Sequence, residues 1–295
     1  MQVRDDSTTV RQAPSDLRQW LGRREVVHDQ VTASPLARLS ATLDRNDHPP
    51  SEGDAVPPLW MWLYFLPSER ERDLGEDGHA RRGGFLPPVT LPRRMWAGGR
   101  LKFLREIQVG STVTRTSEIV GISEKVGRSG PLVFVAVRHE IADAEGLAVV
   151  EEHDIVYRGQ SGDESPTPAR MSPRESSWSR EVCPDDVLLF RFSALTFNGH
   201  RIHYDRRYAT EIEKYPGLVV HGPLIAVLLL DLLRRNLPDA RVREFSFRAV
   251  RPLFDLEPFW VCGNVDSPQS VSLWAKDQRG RMAMEAVALL PSTGN

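Results

Sequence analysis

Residues Gly222–Asn236 form a helical stretch that is apolar almost all the way round. A helix of that kind has no face to offer water, so it must be covered on every side. The cover follows directly in the chain, as β-type runs at Arg241–Pro252, Phe259–Asn264, Ser270–Lys276 and Arg281–Leu290, separated by turn residues. Short connections make such strands antiparallel, and a sheet curled around the helix is an α+β layout. The apolar run Leu224–Leu233 contains Asp231 and is too short to cross a bilayer, so burial in protein is the remaining solution.

The same order occurs earlier. Helical signals at Ser15–Gly22, with Ser15 as N-cap and Gly22 as stop, and at Ser34–Leu43, with Pro35 in the first turn, precede a bulky run Trp60–Phe65 that reads as a buried strand. The polar, Gly- and Pro-rich segment 67–92 reads as a long loop. Strands are expected at Gly99–Ile107, Ser111–Glu124, Leu132–Ala142 and Ala148–Tyr157. Between the halves lies Arg158–Ser177, whose Gly, Ser and Pro content marks a linker. In the second half Leu188–Phe192 reads as a short strand and Asp205–Lys214 as a short helix capped by Asp205. With 295 residues available, the division expected is 1–160, a linker at 161–185, and 186–295. No residue-level repeat links the halves.

Several function classes are excluded at this level. A net charge of −2 gives no electrostatic case for nucleic acid or an acidic membrane. Cys183 and Cys262 lie in no paired motif, so neither a disulfide framework nor a zinc site is expected. The N-terminus has no apolar run and carries acids, which fits neither a secretory signal nor a transit peptide and makes the cytoplasm the expectation. No GxGxxG, GxxxxGKS or GxSxG element is present, so dinucleotide redox chemistry, nucleotide hydrolysis and acyl-ester chemistry have no support.

Chemistry concentrates in the second half. Asn198, His200, His203 and Asp205 fall within eight positions, and His221-Gly222-Pro223 then opens the apolar helix. Imidazole exchanges protons near neutrality. Backbone N–H groups at a helix N-terminus favour developing negative charge. His200, His203 and His221 with Asp205 are compatible with a metal, but no recognised ligand set is completed and none is expected; Asp205 reads as a cap. Structural alternatives exist for each residue: His203 as a core histidine, Asn198 as a loop tie, Gly222 as a small residue needed for packing. The arginines could equally be solvated surface groups.

The stretch Phe197-Asn198-Gly199-His200-Arg201-Ile202-His203 resembles the motif Gly-Asp-x-Asn-Pro-aliphatic-His of MaoC-like, hot-dog-fold hydratases, and His221-Gly222 matches the His-Gly pair downstream of it. Asn198 stands where that family has Asp. Leu91–Arg100, Ser193–Asp205 and Tyr215–Pro223 are similar to the double-hot-dog branch containing mesaconyl-C4-CoA and itaconyl-CoA hydratases, related to type 2 hydroxyacyl-thioester dehydratases, in which Asn at this position is usual. The resemblance spans nearly the whole chain. It implies two antiparallel sheets, each around a helix, forming one continuous pseudo-dimeric sheet. It also implies a hydro-lyase that adds water to the conjugated double bond of an acyl-CoA, with citramalyl-CoA as product. His203 would be the acid/base, Asn198 would position the water, and the Gly222 N–H would be the oxyanion donor. Arg93, Arg94, Arg201 and Arg206 are candidates for a substrate carboxylate, Arg248 and Arg251 for the phosphates of coenzyme A, and His221 for a further substrate contact. No cofactor is implied, since coenzyme A belongs to the substrate; a homo-oligomer is left open. The alternatives are a dehydratase of longer 3-hydroxyacyl thioesters on CoA or acyl carrier protein, a hot-dog thioesterase, and a non-catalytic acyl-CoA binding protein.

Overall fold

In a computed structural model the helix Gly222–Asn236 (α3) has every residue from Leu224 to Leu233 buried, Asp231 included. The structure describes residues 17–127, 130–159 and 169–291. The strands are β1 (Arg24–Gln30), β2 (Arg93–Phe103), β3 (Thr112–Gly127), β4 (Gly130–Asp143), β5 (Gly146–Arg158), β6 (Trp178–Val182), β7 (Glu244–Ala249), β8 (Phe259–Ser267), β9 (Ser270–Asp277) and β10 (Met282–Leu289). They form one ten-stranded sheet in the order β1-β3-β4-β5-β2-β7-β10-β9-β8-β6, antiparallel at every pairing. Strands β6, β8, β9 and β10 pack on α3. This is the double hot-dog arrangement expected from the sequence.

The halves meet at β2 and β7, where Gly98 pairs with Arg248, Gly99 with Phe247 and Leu101 with Phe245. Phe245 and Phe247 are buried, whereas Ser246 and Arg248 between and beyond them are exposed. Alternate residues of a strand face opposite sides, so the seam has a covered inner face and an open outer one.

Several local expectations are corrected. Ser15 lies outside the described residues, and Leu17–Trp20 is a single 3-10 turn leading into β1. The strand β1 (Arg-Glu-Val-Val-His-Asp-Gln) is too polar and exposed to show an alternating pattern. Trp60, Met61 and Leu63 are buried as expected, but Trp60–Leu63 forms a 3-10 turn, entered through Leu59 at φ 69°. Leu188–Phe192 is not a strand; it lies inside the helix α2 (Asp186–Leu195), whose first turn is capped by Asp185 accepting from the Leu188 N–H at 2.8 Å. Strand β6 lies within the range read as linker and pairs with β8. Ala33–Thr42 (α1) occupies the second helical segment, and α1 packs on α2.

Asp231 is the one charge carried deep inside α3. Its carboxylate accepts from Arg45 at 2.6 Å, Arg180 at 2.9 Å and Arg235 at 2.7 Å. Arg45 follows α1 and Arg180 lies on β6, so this cluster fixes the helix to both halves. Among the described residues no helix is long and apolar enough to cross a membrane.

Candidate active site

The segment after α2 runs through Asn198 and His200 into a 3-10 turn, Arg201–His203, then returns through Val219 to the first turn of α3. The Val219 N–H donates to Ile202 O at 3.0 Å and holds the two passes together. His203 is buried, and its Nδ1 donates to Val219 O at 2.7 Å. That bond fixes the tautomer. Nε2 keeps its lone pair and makes no hydrogen bond among the described residues. Burial pushes the imidazole pKa down from 6.5 to about 4, partly offset by the Val219 bond and reinforced by His79. His203 is therefore neutral at physiological pH, with a lone pair on Nε2 able to accept a proton.

His221 stacks on His203 with ring centroids 3.8 Å apart and planes at 19°. Its Nε2 meets Ser193 Oγ at 2.8 Å, while its Nδ1 is buried without a partner. His221 therefore orients His203 from behind and starts α3. Gly222 follows as the first helical residue, so its N–H has no carbonyl one turn back to donate to. A Cβ on Gly222 would meet nothing nearer than Trp96 O at 4.0 Å. Packing within this chain thus does not demand glycine here, and the Gly222 N–H makes no hydrogen bond among the described residues. Asn198 Oδ1 accepts from the His200 N–H at 3.0 Å and so ties its own loop, leaving the carboxamide NH2 as donor.

The first half contributes residues that the motif did not indicate. The 67–92 loop crosses onto the 198–201 segment, with Arg201 N–H donating to Asp77 O at 2.9 Å and Arg201 Nη1 to Glu76 O at 3.1 Å. Gly78, at φ 86°, lies so close that a Cβ would sit 1.9 Å from Gly199 O. This contact delivers His79, whose ring centroid is 4.1 Å from that of His200; His200 in turn is 5.3 Å from His203. His79 Nδ1 pairs with Asp77 Oδ2 at 3.1 Å. Asp77 is held below the usual carboxylate range by His79 despite its burial, and burial pushes His79 and His200 down. Asp-Gly-His in a loop otherwise lacking histidine was the available signal, but nothing in its spacing points across the molecule.

Asp77, His79 and His200 have donor atoms all within 4.8 Å of one another, a set that could hold a metal ion. The guanidinium charges of Arg94 and Arg82 bear on His79 and oppose a cation there.

The nominated arginines separate clearly. Arg93 donates to Glu213 O at 2.6 Å and lies over the Tyr215 ring. Arg201 is taken by Asp205 at 2.7 Å and covers Tyr208. Arg206 bridges Asp186 and Asp255. Arg248 pairs with Glu285 at 2.8 Å on the outer sheet face, away from α3. Arg251 is 3.8 Å from Asp277. Arg94 forms no ion pair among the described residues, and its charge acts on both His79 and His200. Asp205 Oδ1 accepts from the Tyr208 N–H at 3.0 Å, capping a π-helical turn at Tyr208–Ile212.

Comparison with known proteins gives a consistent picture. Residues 59–255 match the family described as hydroxyacyl-thioester dehydratase type 2. A mesaconyl-C(4)-CoA hydratase from Chloroflexus aurantiacus is 45% identical over 277 residues, covering 94% of this chain and 98% of that protein. The mitochondrial hydroxyacyl-thioester dehydratase type 2 of Schizosaccharomyces pombe is 26% identical over 279 residues, covering 82% and 90%. Among solved structures, a MaoC-like dehydratase from Phytophthora capsici superposes with a TM-score of 0.71 at 15% identity, over 94% of this chain and 98% of that one. A double-hotdog protein from Mycobacterium tuberculosis superposes at 0.60 and 14% identity, over 92% and 96%.

Proposed function

The chain belongs to the hydroxyacyl-thioester dehydratase type 2 family, and on that premise we propose that it reversibly hydrates mesaconyl-C4-CoA to citramalyl-CoA. The observation that carries the reading is the pairing of a buried, neutral His203 whose Nε2 is free with the open N-terminus of α3 at Gly222. The near-full-length similarity to a mesaconyl-C(4)-CoA hydratase supports the choice of substrate.

The reaction follows from those groups. His203 Nε2 takes a proton from a water that the Asn198 NH2 helps to hold. The water oxygen bonds to the β-carbon, and the π electrons move through the α-carbon onto the thioester oxygen. The Gly222 N–H, reinforced by the helix dipole, receives the enolate charge; one such donor is worth about 3 kcal/mol in the transition state. Collapse of the enolate returns the electron pair to the α-carbon, which takes the proton from His203. Atoms and charge balance without any cofactor beyond the coenzyme A of the substrate. In this reading the C-terminal half holds the reacting groups, the N-terminal half shapes the acyl pocket, and the enzyme works in the cytoplasm with its CoA ester.

The test is to follow the conjugated thioester absorbance on adding enzyme to mesaconyl-C4-CoA, with citramalyl-CoA identified by mass. Loss of absorbance with no free thiol supports hydration. Release of thiol would make the protein a thioesterase. Turnover confined to long neutral 2-enoyl thioesters would favour the family's dehydratase activity on longer chains, and binding without turnover a non-catalytic role.

A further inference from the structure

The inner face of the N-terminal sheet carries a charge with no counter-charge. Arg94 on β2 pairs in register with Tyr157 on β5, and directly opposed residues share a face. Tyr157 is fully buried, so Arg94 projects to the covered side as well, and it is itself half-buried. Arg94 forms no ion pair among the described residues, and the buried Tyr157 hydroxyl lies within reach of its guanidinium, at a geometry short of a full hydrogen bond. The surroundings do not neutralise the guanidinium. Arg82 lies over the Tyr157 ring at 5.4 Å and donates to the carbonyl oxygens of Val89, Leu91 and Pro92. Asp77, the carboxylate of this cluster, is engaged by His79.

A half-buried guanidinium with no counter-charge, beside a buried phenol whose hydrogen bonding is incomplete, is costly, and one ligand would satisfy both. A carboxylate accepts two parallel N–H bonds from arginine and keeps lone pairs for a phenol. We infer that Arg94 and Tyr157 form the receptor for a carboxylate borne on the β-carbon of the acyl chain, an inference that rests on the hydration reading of the same site. The position is set by the histidines. His200 is flanked by His79 at 4.1 Å and by His203, the group acting at the β-carbon, at 5.3 Å. Arg94 stands two positions before Trp96 on the same face of β2, and the Trp96 carbonyl lies 4.0 Å from where a Gly222 Cβ would sit, so the guanidinium flanks the end of the acyl site opened by the first turn of α3. An unbranched neutral chain would instead lay methylenes against the guanidinium, desolvating it with nothing in return.

Binding of two saturated CoA esters tests this without requiring turnover. Methylsuccinyl-CoA with its thioester at C4 (3-carboxybutanoyl-CoA) and isovaleryl-CoA differ only in a carboxylate exchanged for a methyl group on the β-carbon. By calorimetric titration the full-length protein should prefer methylsuccinyl-CoA by roughly thirtyfold, the usual worth of a charged hydrogen-bonded contact. Arg94→Met should erase the preference by weakening methylsuccinyl-CoA selectively. Tyr157→Phe, which keeps the ring and removes the hydroxyl, should reduce the preference by a smaller factor. The inference is overturned if the wild type does not discriminate, if the preference survives Arg94→Met, or if both esters weaken equally, which would assign Arg94 to the coenzyme A portion or to folding. A protein that discriminates but does not hydrate mesaconyl-C4-CoA would sink the reaction and leave the receptor standing.

Discussion

The surroundings of His203 set its charge, its tautomer and its orientation. Burial removes its charge, the Val219 carbonyl fixes which nitrogen is free, and the His221 ring at 3.8 Å prevents rotation. His203→Ala should fold and lose roughly two to four orders of magnitude in kcat on mesaconyl-C4-CoA; near-normal turnover would remove it from the mechanism. The lowered pKa has two consequences of opposite practical sign. The base is neutral down to about pH 4, so the acidic limb of kcat/KM should lie near 4 and not near the ordinary 6.5. The unfolded chain binds a proton at His203 below 6.5 while the folded chain resists until about 4. This contribution to stability is complete above 6.5 and is lost as pH falls between those values. His79, His139, His200 and His221 are shifted the same way by burial and add to the effect. Urea midpoints should therefore fall between pH 7 and pH 5 while activity persists; an unchanged midpoint would contradict the buried neutral state. Asn198 and His203 could be nominated from one short motif, and Gly222 from the separate His-Gly pair that opens α3. Asp77 and His79 were not, since a polar loop without periodicity gives no direction in space. Arginine type could nominate partners for a carboxylate, but only tertiary ion pairing distinguishes Arg94 from Arg201 or Arg206.

At the level of elements, α3 was legible because a long apolar run leaves few alternatives, and β7 lies inside the strand read at Arg241–Pro252, but β2, read from Gly99, begins at Arg93, where polar residues and glycines hide it. The edge strands β1 and β6 were not, because an edge exposes polar residues that mask the alternation. Leu188–Phe192 was ambiguous for another reason: a short apolar run fits a buried strand or one face of a helix, and here the Asp185 cap selects the helix. Asp231 is the clearest energetic weak point of α3. Replacing it with Ala strands Arg45, Arg180 and Arg235 around an uncharged hole. Breaking such a buried pairing costs about 3–5 kcal/mol, readable as a lower urea midpoint with an unchanged slope. A loss below about 1 kcal/mol would show that the arginines find water instead.

Across the whole molecule, the β2–β7 seam makes the two halves one sheet, with Phe245 and Phe247 packed beneath it. A protease site inserted in the 161–177 segment and then cut should leave both fragments in one particle on size exclusion, with hydration retained. Fragments that separate as stable, folded species would mean that the seam does not hold the halves together. The crossing of the 67–92 loop has a further consequence, for recombination. Gly78 and Gly199 touch backbone to backbone with no room for a side chain on either strand of the contact, so segments more than a hundred positions apart act as one heritable unit. Chimaeras assembled from relatives at the midpoint of the chain would mix a loop from one parent with a motif from another. The interchangeable modules of this protein are not its halves but a pocket assembled from both.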